Sequence, residues 1–157
     1  QTLQLLKYVK LRKGMEALDL GAGEGDTVRI LRSLGINAHG VDLSPRSRDV
    51  QKGDFLNLDY TAESMDLCIS QCAFFVSGDQ QKAVSECWRV LKKGGVFALN
   101  DDMKQKMYGD MEGFAQKLRD MGYEEVRLVD TAQEAFGAHR RAAMMMLGSS
   151  RLLVGRK

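Results

Sequence analysis

"ALDLGAGEGD", residues 17–26, decides how this chain is read. An apolar run ends in a turn with glycines at 21, 23 and 25, and acids stand at 19, 24 and 26. A tight turn needs one glycine. Three at alternating positions indicate that the backbone must approach something closely. Residues 15–20 read as a strand entering the turn. Residues 26–34 carry Val28, Ile30, Leu31 and Leu34 at helical spacing, and Gly35 ends them. Strand, glycine turn and helix in that order make the first unit of a doubly wound sheet.

The alternation continues along the chain. Residues 36–41 (INAHGV) read as a second strand. Ser44-Pro45 looks like a helix start, with Ser as cap and Pro at the first helical position. Only about one turn fits there, because residues 50–53 already read as a short third strand. Residues 66–70 (DLCIS) form a fourth strand, and 80–91 a helix with Ala83, Val84, Cys87, Trp88 and Leu91 on one stripe. Lys92-Lys93-Gly94-Gly95 is expected to close that helix. A fifth strand over 96–99, a helix over 111–121, a sixth strand over 125–129, a helix over 132–147 and a last strand over 151–154 complete the order. Apolar strands separated by helices predict a mostly parallel sheet covered on both faces. Its ligands belong beyond the carboxyl ends of the strands.

The 157 residues fit one domain, 1–157, and 44% hydrophobic residues is ordinary for a globular chain. With 23 basic and 21 acidic residues the net charge is +2, which gives no electrostatic footprint for nucleic acid or an anionic membrane. No apolar stretch approaches the roughly 18 residues of a membrane span. The first residue is Gln1, with no visible signal peptide, which leaves room for an upstream segment. The three cysteines, Cys68, Cys72 and Cys87, form no C-x-x-C pair, so neither a disulfide scaffold nor a metal site is expected and a cytoplasmic location is the simplest reading.

The glycine turn departs from the dinucleotide pattern G-x-G-x-x-G, because Asp26 stands where the third glycine belongs. A pyrophosphate wants bare amides and positive potential, whereas Asp19, Glu24 and Asp26 make this turn acidic. The turn therefore suits a phosphate-free, positively charged ligand, and S-adenosylmethionine has that chemistry. Asp42, 21 residues after Gly21 at the end of the second strand, is placed to accept both ribose hydroxyls. Asp54 and Phe55 follow the third strand, where a carboxylate can take an adenine amino proton and a ring can cover the base.

"ALDLGAGEGD", "GVDLSP", "QKGDFLNL", "SMDLCIS" and "WRVLKKGGVFALND", in this order, resemble the class I S-adenosylmethionine-dependent methyltransferases, especially the small type 11 group. The resemblance covers roughly residues 15–102. It implies a Rossmann-like three-layer α/β sandwich with a seven-stranded sheet of order 3-2-1-4-5-7-6. It implies that Asp19, Gly21, Ala22 and Gly23 hold the methionine part of the cofactor, Asp42 the ribose, and Asp54 with Phe55 the adenine, with Leu43 and Gln71 also lining the site. Two departures stand out: a shortened helix after the second strand and a minimal N-terminal cap over residues 1–14.

Gln71, Cys72 and Phe74 follow the fourth strand and are the acceptor-site candidates. The expected activity is methyl transfer to a small-molecule acceptor, by a monomer or homodimer whose thin flank is a candidate dimer surface. A non-catalytic cofactor-binding module, or regulatory pseudo-methyltransferase, is the alternative. Cys72 raises arsenite or another soft thiophile as an alternative acceptor. Cys68 and Cys87 are expected to point into the core, which argues against three convergent thiols. His139 and the Met144-Met145-Met146 run read as packing residues.

Overall fold

In a computed structural model, residues 2–102, 111–130 and 150–157 are described. The strand that enters the glycine turn, β1 (Glu16–Leu20), is central and buried along almost its whole length. It pairs in parallel with β2 (Asn37–Asp42) on one side and with β4 (Met65–Gln71) on the other. β3 (Gln51–Lys52) forms the edge beyond β2. β5 (Leu91–Asp102) runs parallel to β4, and β7 (Ser150–Arg156) lies antiparallel between β5 and β6 (Glu124–Asp130). The order β3-β2-β1-β4-β5-β7-β6 is the one the sequence implied.

Strand alternation divides the core between two faces. Leu18, Leu20, Cys68, Phe97 and Leu99 point to one face, which α3 (Gln80–Val90) and α4 (Met111–Asp120) cover through Val84, Cys87, Phe114 and Leu118. Ala17, Leu67, Ile69 and Ala98 point to the other face, under α2 (Asp26–Ser33) and the short α1 (Thr2–Leu6), which contribute Val28, Leu31, Leu5 and Leu6. Each such Leu, Ile or Phe contributes about 1.5–3 kcal/mol by leaving water.

Two expectations are corrected. No helix starts at Ser44-Pro45; the segment holds one hydrogen-bonded turn, Val50 N to the Ser47 carbonyl at 3.3 Å, so the shortening after β2 goes further than the sequence suggested. The Ser44 amide donates to Asp42 Oδ1 at 2.8 Å, and the Arg46 amide donates to the Gly23 carbonyl, which ties the segment to the glycine turn instead. Lys92–Gly95 do not cap α3. The helix ends at Val90, and Leu91 is already extended and paired with Met65. The basic pair therefore lies inside β5, in a register shift between the Met65–Leu91 and Leu67–Val96 pairs. The helix expected over 132–147, with Phe136, His139 and the methionine run, lies outside the described residues.

Gly40, beside Asp19 in the β1–β2 ladder, lets α2 and the turn close on the sheet. A Cβ there would sit 2.8 Å from both Ala22 Cβ and Val28 Cγ2. Gly40→Ala is expected to lower stability by about 1–3 kcal/mol through overpacking, read as a lower urea midpoint with an unchanged slope. Unaltered stability would show that this close approach is dispensable.

Candidate cofactor site

The glycine turn leaves β1 with Gly21 at φ +75°, and a Cβ at that position would fall 2.2 Å from Ala73 Cβ. Only glycine meets both conditions, so the loop after β4 rests directly on the turn. Four amides of the turn are satisfied internally. Gly21 and Ala22 donate to the Val41 carbonyl at 2.9 and 3.0 Å, and Gly25 donates to the Ala22 carbonyl at 2.7 Å. Gly23 donates to Asp42 Oδ2 at 2.9 Å. These four amides present no row of bare donors to a phosphate, which is the geometric reason a dinucleotide does not suit the turn.

The acids counted along the turn separate into two kinds. Glu24 and Asp26 are exposed and pair with Arg46 and Arg29. Asp19 and Asp42 are the ones that charge the cradle. Asp19 is only 3% exposed, and its carboxyl is pushed up from 3.8 to about 7, first by burial and then by the neighbouring Asp42 carboxylate, with a Thr27 hydrogen bond acting in the opposite direction. Asp42 accepts from both Gly23 and Ser44 and keeps lone pairs on each oxygen for hydroxyl donors.

Gln71 ends β4 on the same face of the sheet as Leu67 and Ile69. Its Nε2 donates to Thr27 Oγ1 at 2.7 Å and to Thr2 Oγ1 at 2.9 Å. Thr27, 7% exposed in the first turn of α2, in turn serves Asp19. A hydrogen-bonded chain thus runs from α1 through Gln71 and Thr27 to the buried carboxylate. Thr2 and Thr27 escaped the sequence reading. The available signal was a threonine at the start of the helix that follows the turn.

The remaining candidates divide. Leu43 is 64% exposed beside Asp42, and Asp54 is exposed at the end of β3 with Oδ1 accepting from Leu56 N at 2.8 Å. Phe55 stacks parallel on Phe74, with ring centroids 6.1 Å apart. Phe74 is fully buried among Phe55, Phe97 and Phe114, so it supports the floor rather than opening onto an acceptor. Cys72 is exposed with φ +55°, its amide bonded to the Asn100 carbonyl. Cys68 and Cys87 lie buried in the α3–α4 face, where burial and the neighbouring Cys68 thiol push Cys87 well above the usual thiol range. The three thiols do not converge, and no metal-binding cluster of His, Cys, Asp or Glu occurs among the described residues.

Burial favours the neutral form of Asp19. The stability linked to it is complete below about pH 4 and is lost as pH rises through about 7. Asp19→Asn, neutral at every pH, is expected to match the parent near pH 4 and to exceed it at pH 8 by up to roughly 4 kcal/mol. Urea unfolding at the two pH values reads the difference. An equal gap at both would remove this assignment.

A profile of the type 11 methyltransferase domain matches residues 18–99. The chain is 29% identical over 147 residues to a sarcosine/dimethylglycine N-methyltransferase of Halorhodospira halochloris, covering 72% of this chain and 53% of that protein. It is 26% identical over 121 residues to an arsenite methyltransferase of Halobacterium salinarum, covering 66% of this chain and 31% of that protein. The chain thus spans about half the length of the first of these curated relatives and less of the second. Its fold superposes, with a TM-score of 0.76 at 23% identity, on the methyltransferase solved in complex with the Haloferax volcanii Trm112 methyltransferase activator, over 98% of this chain and 87% of that one. With the motif order, the sheet order and the matched profile in agreement, the chain belongs to the class I S-adenosylmethionine-dependent methyltransferases, in the type 11 group.

Proposed function

We propose that the chain binds S-adenosylmethionine at the carboxyl ends of β1, β2 and β3 and transfers its methyl group to a small-molecule acceptor. The observation that carries this reading is the glycine turn with internally satisfied amides beside two converging carboxylates, Asp19 and Asp42. Asp42 would accept from the ribose hydroxyls. Asp19 would hold the ammonium group, a cation that favours its ionised form. Gly21, Ala22 and Gly23 allow close backbone approach, while Leu43, Asp54 and Phe55 would surround the adenine. The bound cofactor supplies an electrophilic methyl on a sulfonium. The protein's part is to position and to exclude water.

Gln71 acts here as a positioning residue, because its amide holds Thr2 and Thr27 and so docks α1 at the edge of the cradle. The acceptor supplies its own nucleophilic atom, as an amine or a thiolate does. Arsenite would have one exposed thiol, Cys72, rather than a converging set. The two buried cysteines favour a reducing, cytoplasmic setting, and no helix among the described residues is long and apolar enough to cross a membrane.

Calorimetric titration with S-adenosylhomocysteine tests the reading, with NADH as control. Micromolar binding of the former alone is expected, and Asp42→Asn is expected to weaken it at least tenfold. Affinity should rise with pH up to about 7 and level off above it, as Asp19 ionises. NADH binding without S-adenosylhomocysteine binding would overturn the assignment. Turnover with an amine or thiol panel separates an enzyme from a non-catalytic module, which would bind and not methylate.

A further inference from the structure

One concavity lies well away from the glycine turn. A cavity of about 660 Å³ opens at the opposite end of the sheet, where β4, β5 and β6 begin and the antiparallel β7 ends. From Asp66 at this end to Gln71 at the other, β4 runs about 17 Å at its usual rise. A ligand here is separate from the cofactor, and the inference does not rest on the methyltransferase reading.

Two irregularities build the cavity. In β5 the ladder jumps from Met65–Leu91 to Leu67–Val96, so Lys92, Lys93, Gly94 and Gly95 bulge out opposite the lone Asp66. In β6 it shifts between Glu124 and Arg127, and Glu125 adopts φ +49°, a conformation that costs energy in a non-glycine residue. Bulges of this kind re-aim side chains and concentrate near functional sites. Backbone bonds from Gly94 N to the Lys157 carbonyl at 2.7 Å and from Lys157 N to the Gly95 carbonyl at 2.9 Å hold the first one in place.

Cations outnumber carboxylates in the lining. Lys10, Arg12, Lys92, Lys93, Arg127 and Arg156 line the cavity, against the carboxylates of Asp66 and Glu125. Lys92 bonds Asp66 at 2.9 Å, while Arg127 and Arg156 share Glu125 at a loose 3.9 Å each. Lys10 and Lys93 have no ion-pair partner among the described residues. Arg156 Nε is buried without a hydrogen-bond partner among the described residues, and an unmet buried donor is a cost that an anion would remove. Such a concentration of cations, in a chain of net charge +2, focuses positive potential into a concavity. Tyr8, Met15, Val96 and Val154 add apolar surface to the lining beside Gly94 and Gly95. The volume falls in the range of small-molecule sites.

We propose that this cavity binds an organic polyphosphate of nucleotide size, its phosphates on Lys10, Lys93 and Arg156 and its ring against Tyr8, Met15 and Val96. Arginine and lysine together suit phosphate oxygens, one as a fork and the other as a point charge. The test is calorimetric titration of the chain with ATP, and with pyrophosphate to separate ring from phosphate. One-to-one ATP binding is expected that weakens with salt and exceeds pyrophosphate binding. It should fall at least tenfold in Lys93→Gln/Arg156→Gln and stay unchanged in Lys82→Gln on α3. Amide chemical shifts of the parent chain, which need no variant to fold, are expected to move at 93–95 and 155 and not at 21–23. Absence of ATP binding at millimolar concentration, equal binding of pyrophosphate, or shifts centred on the glycine turn would overturn the proposal.

Discussion

A carboxylate withdrawn from water at the end of the central strand is the constraint from which the rest of this structure follows. Asp19 is 3% exposed because β1 is covered on both faces, and alternation turns position 19 toward α2 rather than toward solvent. Burying such a group is tolerated only with a hydrogen-bond partner or a raised pKa, and Asp19 has both. Thr27 serves it directly. Gln71 orients Thr27 and reaches on to Thr2, so the first turn of α2 and the short α1 are located by the needs of one side chain. Asp42 completes the arrangement by adding negative charge while stitching β2 to the turn through Gly23.

The same turn shows that formal charge and effective charge differ. Glu24 and Asp26 are acids by composition, yet each faces an arginine at the surface, where solvent weakens both the acid and its pairing. Asp19 and Asp42 lie inward, where the dielectric is lower and their mutual repulsion is felt. The surface pairs have a second role. Arg29 and Arg32 both reach Asp49, which secures the loop that replaces a helix after β2.

The sheet order and the alternation of elements were legible because residues 15–102 carry strong periodicity and glycine punctuation at the right intervals. Asp19, Asp42 and the turn could be found for the same reason: each ends an apolar strand. Ser44-Pro45 misled because local cap chemistry reads the same whether or not a helix follows. The choice was made by Asp42 Oδ1, which took the Ser44 amide across a distance of two residues. Lys92-Lys93-Gly94-Gly95 misled because basic residues and glycines end helices and shape bulges alike, and only the pairing of Leu91 with Met65 distinguishes them. Phe74 follows β4 as an acceptor-site residue would, but side-chain direction inside a 3₁₀ turn cannot be read from position. Thr27 carried only the weak signal of its place at the start of α2, and Thr2 none, because their partner, Gln71, is distant in sequence from both.

The place of β7 bears on how the chain is made. The last of the described strands does not lie at the rim of the sheet but fills the slot between β5 and β6, running against both. During synthesis, β1 to β5 can therefore assemble while β5 still presents the backbone groups from Val96 to Asp102 along an open border. Such a border is a template for pairing with another nascent chain until its own strand arrives. Completion of the sheet waits for residues 150–156 to leave the ribosome, so this border stays open until after α4 and β6 have been made.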